Sequence, residues 1–297
     1  MTSSWPRNSR RSASQIPVAA LVALISTFAI YAAMVATERG RVSEALARFA
    51  GLRRNVVVDA VGPAILAAAV PVLVVVAIGL LIAIARHGGR RATYVFALAS
   101  IVLTNVLVQV AKLGLEYADP LGGEVFRRSQ GAFPSGHSAI ATSVALALIM
   151  VAPSQRRRMA TLGAAGFALA VNMSLLWVGW HYTSDIVAAT LVAFAVAAIC
   201  RRRAEGRRPG AREVAVIILT LTVAGLSLAL GGLLYDVEFL GKSLALLFGS
   251  VAIAGTTVGV VTAFVRTTPT ALAISTTGDE SVGGRAHQRR DPSATRV

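Results

Sequence analysis

The chain has 297 residues, of which 55% are hydrophobic and only 14% are charged. Soluble globular domains carry about a quarter charged residues, so this composition excludes an ordinary soluble domain and indicates a protein embedded in lipid. The single cysteine, Cys200, excludes an intrachain disulfide and a thiolate zinc cluster, and the net charge of +15 is typical of membrane topology signals rather than of nucleic-acid binding.

Charge-poor runs follow one another along most of the chain. A bilayer core of about 30 Å takes about 20 residues of helix. Eight runs of roughly this length are predicted to span the membrane, at 16–36, 61–85, 92–112, 136–153, 159–179, 184–200, 213–235 and 243–265. The sequence therefore predicts an all-α, polytopic helix bundle.

Polar and basic stretches divide this bundle. We predict a cytoplasmic tail (1–15), a six-span core (16–200) and a basic linker (201–212). A two-span hairpin (213–266) and a disordered cytoplasmic tail (267–297) follow. The hairpin is predicted to face lipid, with glycines that permit close helix packing or a homo-oligomer.

Basic residues indicate the orientation of the bundle. Five segments on one predicted side hold 20 of the 29 Lys and Arg residues, namely 7–11, 86–91, 156–158, 201–212 and 266–296. Cytoplasmic loops are rich in Lys and Arg, so both termini are expected in the cytoplasm. Segment 37–60 is arginine-rich but falls outside, and the helical spacing of Val42, Leu46, Phe49 and Leu52 predicts an amphipathic helix on the outer surface there.

Two of the four histidines, His137 and His181, fall on predicted outer junctions between loop and helix. His181 and Asp185 are one helical turn apart, so a carboxylate can accept the imidazole Nδ1–H and leave Nε2 free to attack. The alternative is that Asp185 or Ser184 only caps the sixth span and that His181 is an interfacial polar residue. A metal set of His137, His181 and Asp185 is a further, weaker alternative, and no metal or other cofactor is expected.

The segment Pro134-Ser135-Gly136-His137 opens the fourth predicted span. Free N–H groups at a helix N-terminus attract anions, Gly136 permits close approach, and the Ser135 hydroxyl adds a donor. His137 is placed to protonate a leaving oxygen. The alternative is an ordinary turn before a membrane helix.

Two more polar residues point to the same membrane face. Lys112 ends span three, on one helical face with Asn105 and Gln109, and offers a charge to phosphate unless it only extends to the headgroups. Ser174 lies near the outer end of span five.

Together these residues resemble the three-part signature of the type 2 phosphatidic acid phosphatase (PAP2) superfamily, over about residues 60–200. The resemblance implies that His181 is the phosphoryl-accepting nucleophile, Asp185 its orienting carboxylate and His137 the general acid. It implies that Lys112, Ser135 and Gly136 hold phosphate, and Ser174, in the third motif, is predicted to be a phosphate-binding residue with them.

Two family arginines are absent. The first motif of the family ends in Arg-Pro, whereas this chain has Asp119-Pro120, and the third begins Ser-Arg, whereas this chain has Ser174-Leu175. We hypothesise that Arg127 or Arg128, in the loop before the Pro-Ser-Gly-His segment, replaces one of them. A solvated loop charge is the equally weighted alternative.

The resemblance implies a membrane phosphatase that cleaves a lipid phosphomonoester or diphosphate at the extracytoplasmic face. Three other functions stay open: a lipid-phosphate-binding or transport module, a lipid phosphotransferase and, least favoured, a vanadate-dependent oxidase. The expected partner is a membrane lipid phosphate, and no nucleic acid is expected.

Overall fold

The computed structural model describes residues 17–51, 56–86, 90–115, 133–205 and 240–266. In these ranges the chain forms eight α-helices and no strand. They are α1 (Val18–Ile30, continued by a π-helical turn, Tyr31–Val35), α2 (Glu38–Gly51), α3 (Val56–Arg86), α4 (Arg91–Gly114), α5 (Gly136–Val151), α6 (Arg157–Trp177, after a 3-10 turn, Ser154–Arg156), α7 (Thr183–Glu205) and α8 (Leu240–Arg266).

Helices α1, α3, α4, α6, α7 and α8 are long and apolar enough to cross a membrane, and α5 is a shorter apolar helix. The prediction of an all-α, multi-pass membrane bundle is confirmed, and seven of the eight predicted spans coincide with these helices. Several predictions lie outside the described residues: the span 213–235, the tails 1–15 and 267–297, most of the linker 201–212, and Arg127 and Arg128.

Helix α7 is the centre of the bundle. It contacts α1, α4, α5 and α8, and 89% of its most apolar stretch is buried. Many of its residues are Ala, Ser, Thr or Val. Small residues allow membrane helices to approach one another closely, which explains how α7 can be enclosed by four neighbours.

The two ends of the bundle differ in chemistry. At one end, Arg90 donates to the Val151 carbonyl at 3.1 Å and Arg201 donates to the Phe264 carbonyl at 2.6 Å. The C-terminal ends of α4 and α6 and the N-terminal ends of α5 and α7 lie at the other end, where the polar segments of the motifs meet. Both histidine segments are therefore at one end of the bundle.

Helix α2 confirms the predicted helix in segment 37–60, but its position differs from the prediction. It packs against α6, α7 and α8, and its Ser43, Glu44, Ala45 and Ala47 are buried. The prediction from the apolar spacing was that this helix lies on lipid. In the structure α2 packs on other helices, and its described buried residues are mainly small, which allows that close packing.

The prediction that the last span faces lipid is wrong for one side of α8. Residues on that side, among them Ile253 and Phe264, are buried against the core, and Asn172 of α6 donates to the Thr257 hydroxyl at 3.1 Å. A Cβ placed on Gly249 would lie 2.7 Å from the Thr183 hydroxyl oxygen, so this glycine permits a close approach to the start of α7. Helix α8 is therefore part of the packed bundle.

Candidate active site

His181 and Asp185 form the pair predicted from their spacing. His181 Nδ1 lies 3.3 Å from Asp185 Oδ2, and the same oxygen accepts from the Tyr182 backbone N–H at 3.1 Å. The Asp185 side chain is fully buried, and that of His181 is 14% exposed. With the imidazole proton on Nδ1, the carboxylate orients the ring and leaves the Nε2 lone pair free.

A tight turn between α6 and α7 presents His181. The backbone N–H groups of Trp180 and His181 both donate to the Leu175 carbonyl, at 3.0 and 3.2 Å. Gly179 has a φ of 71°, a left-handed conformation that a residue with a Cβ adopts at a cost. The turn therefore fixes the position of the His181 backbone between the end of α6 and the start of α7.

The Pro-Ser-Gly-His segment is attached directly to this turn. The Ser135 backbone N–H donates to the Asp185 carbonyl at 3.0 Å. The Ser135 hydroxyl caps α5 by accepting from the Ser138 N–H at 3.3 Å, and the Ser138 hydroxyl donates to the Ile186 carbonyl at 3.1 Å. These bonds join the N-termini of α5 and α7, so segments about 50 residues apart in sequence form one site.

Lys112 reaches the N-terminus of α5. A Cβ placed on Gly136 would lie 3.4 Å from Lys112 Nζ and 3.6 Å from Gln109 Nε2. Both distances are ordinary van der Waals contacts, so the ends of the Lys112 and Gln109 side chains lie directly against the first turn of α5. Lys112 is also close enough to Asp185 to interact with it electrostatically.

His137 faces the same space. It interacts electrostatically with His181 and Lys112, and its ring lies 5.9 Å from the Trp180 ring, edge to face. Within the described residues, the backbone N–H groups of Gly136 and His137 have no hydrogen-bond acceptor. Two free N–H groups at a helix N-terminus beside an ammonium group form a suitable environment for an anion.

Ser135, Ser174 and Leu175, which the sequence analysis placed in the motifs, are buried in the structure. Ser135 is fully buried, and its hydroxyl oxygen serves as the helix cap just described. Ser174 is buried near the end of α6, and among the described residues no hydrogen bond joins its hydroxyl to His181. Leu175, where the family has arginine, is buried in the core. Contacts of Ser135 and Ser174 with phosphate stay predictions.

Two contributions were not anticipated from the sequence. Glu44 of α2 accepts hydrogen bonds from Ser184, at the start of α7. The Trp180 ring lies edge to face with the His137 ring. No local pattern indicates the first contact, because its partners are 140 residues apart. The second could have been inferred, since Trp180 directly precedes His181.

The candidate metal ligands His137, His181 and Asp185 all lie among the described residues. Among residues 17–51, 56–86, 90–115, 133–205 and 240–266, no group of three or more His, Cys, Asp or Glu side chains is arranged to hold a metal ion.

Comparison with known proteins agrees with the motif assignment. Residues 93–209 match the model of the PAP2 superfamily, a shorter range than the predicted 60–200. A crystal structure of a transmembrane PAP2-type phosphatidylglycerolphosphate phosphatase from Bacillus subtilis is 21% identical, with a TM-score of 0.47, and the match covers 63% of this chain and 94% of that one. No curated protein matches the chain. The residues matched to the PAP2 superfamily, 93–209, include both histidine segments and most of α4, so this part of the multi-pass membrane protein is PAP2-like.

Proposed function

We propose that the protein is a lipid phosphate phosphatase that acts through a phosphohistidine on His181. The observation that carries the proposal is the joined pair of helix N-termini: an imidazole held by a buried carboxylate lies beside a second imidazole, an ammonium group and free backbone N–H groups. Nucleophile, acid and anion site are the three parts that phosphoryl transfer to a side chain requires.

The proposed reaction has two displacements. His181 Nε2 attacks phosphorus, the bond from phosphorus to the lipid oxygen breaks, and His137 gives its proton to that oxygen. Water then attacks the phosphohistidine, loses a proton to His137, and releases inorganic phosphate while His181 is regenerated. Lys112 and the α5 N-terminus stabilise the charge on the non-bridging oxygens in both steps.

Depth in the membrane supports an amphiphilic substrate. The site lies at the ends of membrane helices, beside Trp177 and Trp180, which are 40% and 50% exposed. Tryptophan is enriched at the level of lipid headgroups. A phosphorylated headgroup can enter the site there while its tail stays in the bilayer, which suits phosphatidate-type and polyprenyl-type lipids equally.

Charge asymmetry supports an extracytoplasmic site. The opposite end of the bundle carries Arg86, Arg90, Arg91, Arg156, Arg157, Arg158, Arg201, Arg202, Arg203 and Arg266. Basic residues accumulate on the cytoplasmic side, so the histidine end is assigned to the outer side.

The test is phosphate release from purified protein in detergent micelles with phosphatidate, polyprenyl phosphate and polyprenyl diphosphate, with and without EDTA. His181→Ala and His137→Ala should each abolish release, whereas His287→Ala, in the predicted tail, should match the wild type. Equal release by wild type and His181→Ala would remove the proposal. Loss of release on adding EDTA would favour the metal alternative.

Labelling separates hydrolysis from other outcomes. Labelled phosphate from the substrate should be trapped on the denatured wild type in an alkali-stable, acid-labile form and be absent from His181→Ala. Binding of the lipid without release or labelling would instead indicate a binding module. Transfer of label to an added alcohol in preference to water would indicate a phosphotransferase.

A further inference from the structure

A buried carboxylate from α2 binds the first turn of α7. Glu44 is 2% exposed. Its Oε1 and Oε2 accept from the Ser184 backbone N–H at 3.1 and 3.2 Å, and Oε2 also accepts from the Ser184 hydroxyl at 3.0 Å. One acidic side chain therefore binds both donors of a single residue on another helix.

This arrangement stabilises a charge that would otherwise be unfavourable in the protein interior. A buried carboxylate needs hydrogen-bond donors or opposite charge around it. Ser184 supplies two donors, and the N-terminal end of α7 supplies the positive end of the helix dipole. The carboxylate in turn accepts from the Ser184 N–H, which is in the first turn of α7 and has no acceptor within that helix.

The bound residue is directly connected to the catalytic pair. Ser184 immediately precedes Asp185, whose carboxylate accepts from Tyr182 N–H and faces His181 Nδ1. Any shift of the first turn of α7 moves the Asp185 carboxylate relative to His181. The Asp185 carbonyl also receives the Ser135 N–H, so the same shift would reach the α5 N-terminus.

We propose that Glu44 is a positioning residue for the His181–Asp185 pair: its hydrogen bonds to Ser184 hold the first turn of α7 where Asp185 can orient the nucleophilic imidazole. The inference rests on the phosphatase function proposed above. It assigns α2, which precedes the family match at 93–209, a part in the reaction without contact to the substrate.

Substitution of Glu44 separates this role from simple packing. Glu44→Ala removes the three bonds to Ser184 and should lower kcat about tenfold to a hundredfold, with KM within about twofold, since small misplacements of catalytic groups slow turnover by such factors. Glu44→Gln keeps an oxygen that can accept from both Ser184 donors, although it loses the charge. This variant should stay within about threefold of the wild type, because position and not charge is the proposed role.

Inhibitors give a second readout. Orthovanadate mimics the five-coordinate transition state by bonding to the attacking imidazole, whereas inorganic phosphate only occupies the anion site. Glu44→Ala should weaken inhibition by vanadate about tenfold and inhibition by phosphate less than about twofold, because only the transition-state mimic depends on the orientation of His181. Ser43→Ala, at the buried neighbour on α2, is the matched control and should change neither.

Each outcome decides the inference. Wild-type kcat and vanadate inhibition in Glu44→Ala, or equal loss in Glu44→Gln and Glu44→Ala, would overturn it and leave the phosphatase function standing. Absence of phosphate release from the wild type would overturn both. If Glu44→Ala does not fold, Ser184→Ala decides, because it removes one of the three bonds: kcat should fall about threefold, and an unchanged kcat refutes the inference.

Discussion

Replacing Asp185 with asparagine tests the reasoning about the nucleophile most directly. The substitution keeps the volume of a fully buried side chain and removes its charge. In the wild type, Oδ2 faces His181 Nδ1 at 3.3 Å and accepts from Tyr182 N–H at 3.1 Å. Asparagine removes the charge-assisted bond to His181 in either orientation: an amide oxygen in place of Oδ2 is only a neutral acceptor, and an amide N–H there favours the imidazole tautomer with the proton on Nε2, which cannot attack.

The magnitude follows from the bond that is lost. A hydrogen bond to a charged group contributes about 1.5–3 kcal/mol. If that contribution is made to the orientation and charge of His181 in the transition state, at about 1.36 kcal/mol for each factor of ten, kcat should fall about 10- to 150-fold. KM should change little, because the anion site is built from α4 and α5.

The assay is the initial rate of phosphate release over a range of lipid phosphate concentrations in mixed micelles. Glu38→Gln, at the exposed start of α2, makes the same chemical change away from the site and is the control. Thermal unfolding of both variants shows whether the fold is kept. A folded Asp185→Asn protein with wild-type kcat would refute the claim that the carboxylate orients His181.

Three further predictions concern the anion site and the bundle. Changing Arg127 and Arg128 to alanine, singly and together, should slow turnover at least about tenfold if one of them replaces a family arginine, since each charge-assisted contact to a transferring phosphoryl group can contribute several kcal/mol. Gly249→Ala should destabilise the protein by about 1–3 kcal/mol, because the added Cβ would meet the Thr183 hydroxyl oxygen at 2.7 Å. Asn172→Ala should destabilise it by about 1–2 kcal/mol, because two buried hydroxyls, on α7 and α8, lose their donor.

Kinetics and unfolding check these three predictions. For the arginines the measurement is kcat on the preferred lipid phosphate, and unchanged kinetics in the double variant would end the hypothesis. For the other two, the only cysteine, Cys200, is buried, so a thiol-reactive fluorophore reports unfolding on heating. Gly163→Ala and Gly166→Ala, at two α6 glycines with open space around them, are matched controls, and wild-type thermal stability of Gly249→Ala would contradict the described packing of α8.

The sequence by itself determined the class of the molecule and its principal chemistry. Apolar runs of membrane-spanning length predict helices without reference to the rest of the chain, because the bilayer requires every backbone polar group to be satisfied within its own segment. The pairing of His181 with Asp185 was also predictable, since residues four apart on a helix share one face.

Only the tertiary structure decided which contacts form between segments that are distant in the sequence. The bonds from Glu44 to Ser184 and from Ser135 to Asp185 join residues far apart in the chain, and no periodicity encodes them. The same holds for α8: an apolar helix can face lipid or protein with nearly the same composition, because both surroundings are apolar. Small residues and a few buried hydrogen bonds determine whether such a helix packs on protein. These interactions form only when the helices are in contact, so the sequence of one helix does not reveal them.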